Sequence, residues 1–183
     1  MRITKSAIVL SAAALAAGLV GAVPASATAD VPGLQITQVG YNAYGPDTIY
    51  NRNQEFVDVK ADGAAGRAVN VTGLTVADQW GKSHEGADDN PHGCNTYKVT
   101  SLPGITPIDG NVLLPAGHTI RVYSGAGTPS VSAGGTVHAV YMDSRCGYHG
   151  HIWGNGGDTA WITLGSNSES FAYDFDNGYT VKP

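Results

Sequence analysis

The chain has 183 residues, with 15 Asp and Glu against 10 Lys and Arg. That length gives one domain with a proper core. The few bases are scattered, which excludes a surface built for nonspecific contact with nucleic-acid phosphates, since that needs clustered Lys and Arg.

At the N-terminus, Arg2 and Lys5 precede an apolar run from Ala7 to Val23, and Pro24 ends it. Ala25-Ser26-Ala27 and Ala27-Thr28-Ala29 follow as overlapping small-x-small sites. This is the layout of a secretory signal peptide. A spanning helix needs about 20 strongly apolar residues, and this run is shorter and rich in Ala and Gly. Residues 1–27 are therefore expected to be removed, with the cut after Ala27 or Ala29, and residues 28–183 to form the exported domain. Loss of residues 1–27 removes two bases and no acid, so 156 residues remain with 15 acids, eight bases and a formal charge of −7. An acidic surface of that kind favours solubility. No second apolar stretch follows, so the expectation is a secreted, extracellular monomer with no membrane contact after cleavage.

Beyond the leader, Gly, Thr, Val, Tyr and Asn dominate, with turn residues at short intervals, the punctuation of short strands joined by loops. The pattern predicts strands at Leu34–Asn42, Glu55–Ala61, Ala68–Thr72, Thr75–Asp78, Thr119–Ser124, Thr136–Met142, Thr159–Leu164 and Tyr173–Asp176. In "EFVDVK", Val57 and Val59 share one face and Asp58 and Lys60 the other. In "HTIRVYS", Ile120 and Val122 oppose Arg121 and Tyr123. In "TAWITL", Ala160, Ile162 and Leu164 oppose Trp161 and Thr163. One buried and one wet face per strand implies antiparallel sheets, and seven or eight such strands imply a two-sheet sandwich.

Two segments break the rhythm. Trp80 to Gly110 is long, polar and turn-rich and holds Cys94; Asp143 to His151 holds Cys146. Loops of the first kind are usually functional or disordered. Export leads to an oxidising compartment, so a Cys94–Cys146 disulfide is expected, closing a span of 52 residues and drawing both loops to one side of the domain.

Four segments then line up in order: "NQEFVDVKADG", "VNVTGLTVADQWGK", "LLPAGHTIRVYSGAG" and "HIWGNGGDTAWITLG". The series closely resembles the lamin tail domain family in its bacterial secreted form. That family carries an N-E-aromatic-V-E-I strand, an L-x-G-aromatic-x-apolar corner, an L-x-P-G turn and a W-N-N-x-G-D motif. The resemblance runs from about Leu34 to about Tyr173. Val59 stands where Ile is frequent, Leu74 where Trp is frequent, and Gly154 where Asn is usual; Asn155, Gly157 and Asp158 are kept. The resemblance implies an all-β, immunoglobulin-like antiparallel β-sandwich serving as an accessory or interaction module, without a catalytic centre. In "WGNGGD", Trp153 is expected to pack, the glycines are free to take positive φ, and Asn155, Gly157 and Asp158 are expected to shape a strand-to-strand corner, Asp158 capping the turn before Thr159.

No helix pattern follows the glycines and no G-x-x-x-x-G-K-[ST] is present, so a phosphate cradle lacks its parts. There is no G-x-S-x-G elbow. His149 and His151 in "HGH" are the metal candidates, with His92 or His84 as a third ligand; two His alone are not a site. "HEGAD" lacks the second His of a zincin. "DFDNG", Asp174 to Gly178, and Asp88 to Asn90 are weak calcium candidates. Asn70-Val71-Thr72 fits a glycosylation triplet but reads as strand and corner. "LPAGH" resembles a wall-sorting signal, yet it is internal, with no apolar tail or basic end after it, so any association with the cell wall is expected to be non-covalent.

The functional expectation is a non-catalytic secreted module, needing no cofactor, that binds an extracellular protein, glycan or cell-wall component. Tyr44, Tyr50, Trp80, Tyr148 and Trp153 are the aromatic contact candidates. The alternatives are a secreted metal-dependent hydrolase centred on the two cysteine loops, and a passive matrix protein. An aromatic patch facing solvent near the loops favours the binding module.

Overall fold

A computed structural model describes residues 30–63, 66–88, 90, 93–132, 134–143, 150–175 and 179–183. The expected signal peptide, His92, Cys146, Tyr148 and His149 lie outside the described residues. The protein is all-β, with twelve strands and one short α-helix among the described residues. No helix there is long and apolar enough to cross a membrane.

The largest sheet has six strands in the spatial order β12 (Thr180–Val181), β1 (Leu34–Gly40), β2 (Phe56–Ala61), β7 (Thr119–Tyr123), β9 (Val137–Tyr141) and β8 (Ser130–Val131). A second sheet holds β11 (Asn167–Asp174), β10 (Gly157–Leu164), β4 (Thr75–Ala77) and β5 (Thr96–Lys98). β3 (Val69–Asn70) and β6 (Leu113–Leu114) form a two-stranded ribbon.

Period-two alternation sets the faces. Val57, Val59, Ile120, Val122, Ala160 and Ile162 are fully buried, and they join Leu74, Leu114 and Val140 in one hydrophobic cluster fed by all three sheets. Opposite Val57 and Val59, the outward Asp58 is also covered. Arg121 on the neighbouring strand clasps it through Nε and a terminal nitrogen, each at 2.7 Å, and lies 4.1 Å above the Phe56 ring. Alternation therefore places Asp58 on the correct face, but a cross-strand ion pair shields it from water.

Three features depart from the sequence expectation. The sheets are not wholly antiparallel: β9 runs parallel to β7, Thr119 opposite Val137 through Tyr123 opposite Tyr141. After β7 the chain forms β8 at the sheet edge, β8 pairs antiparallel with β9, the Gly135 N–H donates to the Ser132 carbonyl at 2.8 Å, and β9 lies beside β7. Second, the described residues of Trp80–Gly110 include regular elements. α1 (Gln79–Ser83) opens the segment, with the Asp78 carboxylate accepting the Gly81 N–H at 2.6 Å as an N-cap. β5 then pairs with β4, and tight turns at Leu102–Ile105 and Ile108–Asn111 follow. Third, β11 begins at Asn167, not Tyr173, and pairs with all eight residues of β10 through a two-residue turn at Gly165-Ser166, Gly165 having φ +62°. Only Tyr173 of β11 is buried, so a half-exposed edge strand shows little apolar alternation to read.

Candidate functional site

The chain between β1 and β2 makes a compact loop, and its own polar side chains hold it. Asn51 Oδ1 accepts the Thr48 N–H at 2.8 Å and its hydroxyl at 3.0 Å; Asn51 Nδ2 donates to the carbonyls of Tyr44 and Pro46, both at 3.1 Å. Gln54 Oε1 accepts the Tyr44 N–H at 2.7 Å. One asparagine thus closes four hydrogen bonds inside the loop, an Asx-type bracing that spares the backbone a long unpaired excursion.

The outer surface of this loop is apolar and exposed. Tyr44 is 74% and Tyr50 90% exposed, Ile49 lies between them in sequence, and the Tyr179 ring stands 6.0 Å from that of Tyr44. These large rings are held on a loop ordered by the four hydrogen bonds of Asn51.

The inner side of the loop is polar and rests on a buried cluster. Glu55, which follows a 3-10 turn at Arg52–Gln54, directs its carboxylate into the interior and is fully buried. Its Oε2 accepts the Ile152 N–H at 2.9 Å, the Trp153 N–H at 3.4 Å and the Ser124 hydroxyl at 3.2 Å. Its Oε1 lies 2.6 Å from His151 Nδ1. The His151 Nε2 lies 3.0 Å from the Thr48 carbonyl, which can only accept, so Nε2 carries a hydrogen. A single further proton is shared between Nδ1 and Oε1. Burial pushes the Glu55 carboxyl up, against the pull of its donors Ile152, His151 and Ser124. For His151, burial disfavours the charged ring, but Glu55, the Thr48 carbonyl and Asp47 outweigh it, and the net direction is upward.

Asp47 completes the cluster from the loop. Its Oδ1 is 3.8 Å from His151 Nδ1, and its Oδ2 accepts from Asn155 Nδ2 at 3.3 Å. Asp47, Glu55 and His151 each offer a ligand-type atom within 4.8 Å of the others, the grouping of this kind among the described residues. Asp47 Oδ1 and Asn155 Oδ1 are buried and have no hydrogen-bond partner there.

The residues singled out from the sequence take the following places. Trp153 is buried, and its ring nitrogen has no hydrogen-bond partner among the described residues. Gly157 has φ +116°, and a Cβ there would come within 2.9 Å of the Tyr173 carbonyl, so glycine is required. Asp158 accepts the Gly154 N–H at 3.3 Å and the Thr159 N–H at 2.6 Å, closing the corner. His151 faces Glu55, Asp47 and the Thr48 carbonyl; His149, its expected co-ligand, lies outside the described residues. His84 is not in this cluster: its ring stacks on Trp80 at 4.5 Å on the α1 side. Cys94 is not a free cysteine, and Cys146 lies outside the described residues. Of the calcium candidates, Asp176 to Gly178 and Asp89 lie outside the described residues, and Asn90 spends its amide on the Cys94 backbone, accepting its N–H at 2.6 Å. In the sequon-like triplet, Asn70 Oδ1 accepts both the Thr72 N–H and hydroxyl, a local corner.

Sequence reasoning missed Asp47 and the inward turn of Glu55. An acid opening a strand reads as a solvated edge, and an Asp after Pro46 reads as a turn residue. The one local signal was "NQE": a Glu directly before an apolar, alternating run, on the side that enters the core.

No family model matches the chain, and no curated protein or solved structure shows a significant likeness to it.

Proposed function

We propose that the chain is a secreted, non-catalytic module with an immunoglobulin-like, lamin-tail-like β-sandwich, binding an extracellular macromolecule through the aromatic face of the loop between β1 and β2. The observation that carries this reading is the exposure of Tyr44 and Tyr50 on a loop cross-braced by Asn51. Two further observations support the sandwich: the six-stranded and four-stranded sheets contribute to one apolar cluster, and Glu55 of "NQEFVDV" bonds the backbone of Ile152 and Trp153 in "HIWGNGGD". Two of the segments on which the lamin-tail resemblance rests therefore touch. The Cys94–Cys146 bridge is part of the proposal, tying the turn after α1 to the segment before His151.

A serine-hydrolase reading has less behind it: the serine hydroxyl of the cluster, Ser124, donates to Glu55 and not to the His151 imidazole. A nucleophile needs its proton within reach of the base.

The test is a pull-down from cell-wall and culture-supernatant fractions with the mature protein and with Tyr44→Ala/Tyr50→Ala. Exposed anchors of this size contribute about 1–2 kcal/mol each, so the double variant is expected to retain less than about a tenth of the captured material. Equal capture by both proteins contradicts the assignment to this face.

A further inference from the structure

Three observations meet beneath the aromatic loop. The first is the donor set. Asp47 comes from the loop, Glu55 from the start of the second strand and His151 from the approach to the tenth, and they bring two carboxylate oxygens and an imidazole nitrogen within 4.8 Å of one another.

The second is an acceptor without a donor. Asp47 Oδ1 is buried and unpartnered among the described residues, as is Asn155 Oδ1 on the side chain that reaches the other Asp47 oxygen. A buried carboxylate oxygen with no hydrogen-bond donor is costly. The shared proton of the Glu55–His151 pair does not meet that need, because His151 Nδ1 is 3.8 Å from Asp47 Oδ1 and directed at Glu55.

The third is the way the ligand groups are held. His151 gives Nε2 to a backbone carbonyl and turns Nδ1 to the carboxylates; an imidazole oriented through its far nitrogen is the usual second layer of a metal ligand. Glu55 is held the same way, three donors on Oε2 leaving Oε1 directed at His151.

We infer that Asp47, Glu55 and His151 form a site for one divalent transition-metal ion of the Zn2+ type, bound through Asp47 Oδ1, Glu55 Oε1 and His151 Nδ1. An imidazole beside two carboxylates selects this class over Ca2+ and Mg2+, which take oxygen ligands. The two carboxylate charges balance the ion, and the proton between Nδ1 and Oε1 leaves as it binds. Tetrahedral metal–ligand bonds of about 2.0–2.2 Å set neighbouring ligand atoms about 3.4 Å apart, so the Glu55–His151 contact of 2.6 Å opens by most of an ångström while the 3.8 Å between His151 Nδ1 and Asp47 Oδ1 closes by a few tenths. Asn155, joined to Asp47 through Nδ2, carries a further buried oxygen without a partner among the described residues, Oδ1, at the edge of this site. The ion stitches the loop to the sheet from below. This goes beyond the aromatic-face proposal and fails or stands separately from it.

The experiment uses the mature protein, stripped with a chelator and titrated with Zn2+ by calorimetry, with Co2+ absorption as a second readout. The expected result is one Zn2+ per chain, a thermal midpoint raised by about 5 °C at saturation, and no displacement by millimolar Ca2+. Asp47→Ala, on a partly exposed loop, is expected to keep the wild-type circular dichroism and to lose at least about 100-fold in Zn2+ affinity; the isosteric Asp47→Asn is expected to lose at least about tenfold. His84→Ala is expected to bind as the wild type does. Absence of stoichiometric Zn2+ binding, wild-type affinity in both Asp47 variants, or displacement of Zn2+ by Ca2+ overturns the inference.

Discussion

Asp78 caps α1 from inside the protein, and replacing it with asparagine gives a sharp test of how the structure sets its charge. It is 3% exposed, accepts from the Gly81 N–H and from Asn95 Nδ2 at 2.6 Å each, and lies near Asp158. Burial, the largest influence, and the neighbouring Asp158 charge push its carboxyl from the ordinary 3.8 to about 6, more than the two donors pull it down. A raised folded value means that the folded chain holds this proton more tightly than the unfolded chain. The associated stability is complete below about pH 3.8 and is lost as pH rises through about 6. The interval from 3.8 to about 6, at about 1.36 kcal/mol per pH unit, amounts to about 3 kcal/mol, of which about 2 kcal/mol falls between pH 4 and 7. Asp78→Asn keeps the shape and the capping oxygen and removes the charge. Its new amide finds an acceptor if Asn95 turns over, since Asn95 Oδ1 is buried without a partner among the described residues. Urea unfolding of both proteins at pH 4 and pH 7 measures the effect. The stability of the variant relative to the wild type is expected to rise by about 2 kcal/mol between those pH values. A relative stability that is the same at both, or that moves the other way, refutes the assignment of a buried, reluctantly ionised Asp78.

Further outcomes follow from the packing. Arg121→Lys loses the two-pronged contact with Asp58 and the stack on Phe56, and is expected to lower unfolding free energy by about 1–2 kcal/mol in urea titration. Gly81→Ala puts a Cβ at 2.5 Å from the Asn95 carbonyl oxygen, where backbone must shift, so a loss of about 1–3 kcal/mol is expected in the same assay. If Cys94 and Cys146 are bridged, reduction under native conditions costs about 4 kcal/mol for a closed span of 52 residues, and peptide mapping without reductant recovers the two cysteines in one cross-linked species.

The strands that face the core on one side were legible because apolar residues at every second position leave no other way to bury them: β2, β7 and β10 lie where alternation puts them. β11, β5 and β8 were hidden for the opposite reason. Edge strands meet water along much of their length, so Asn167–Ser170 and Thr96–Lys98 carry no apolar rhythm. The parallel β7–β9 pair also escapes a reading of single strands, since direction is set by the route of the connection. The polar cluster was half visible. His151 stood out as half of "HGH", but its partners sit 96 and 104 positions away, at Glu55 and Asp47, and no local spacing links them. Local chemistry did mark the corner at Asn155–Asp158, because glycine with positive φ and a short acid that bonds nearby N–H groups act within a few residues.

The loop between β1 and β2 is the face proposed to meet a partner. Hydroxyl-radical footprinting of the mature protein, alone and with the captured cell-wall or supernatant fraction, measures this directly. The expected result is protection of Tyr44, Ile49, Tyr50 and Tyr179, with Trp80 on α1 reacting as before. Protection of Trp80 and its surroundings, with the four loop positions unchanged, contradicts it.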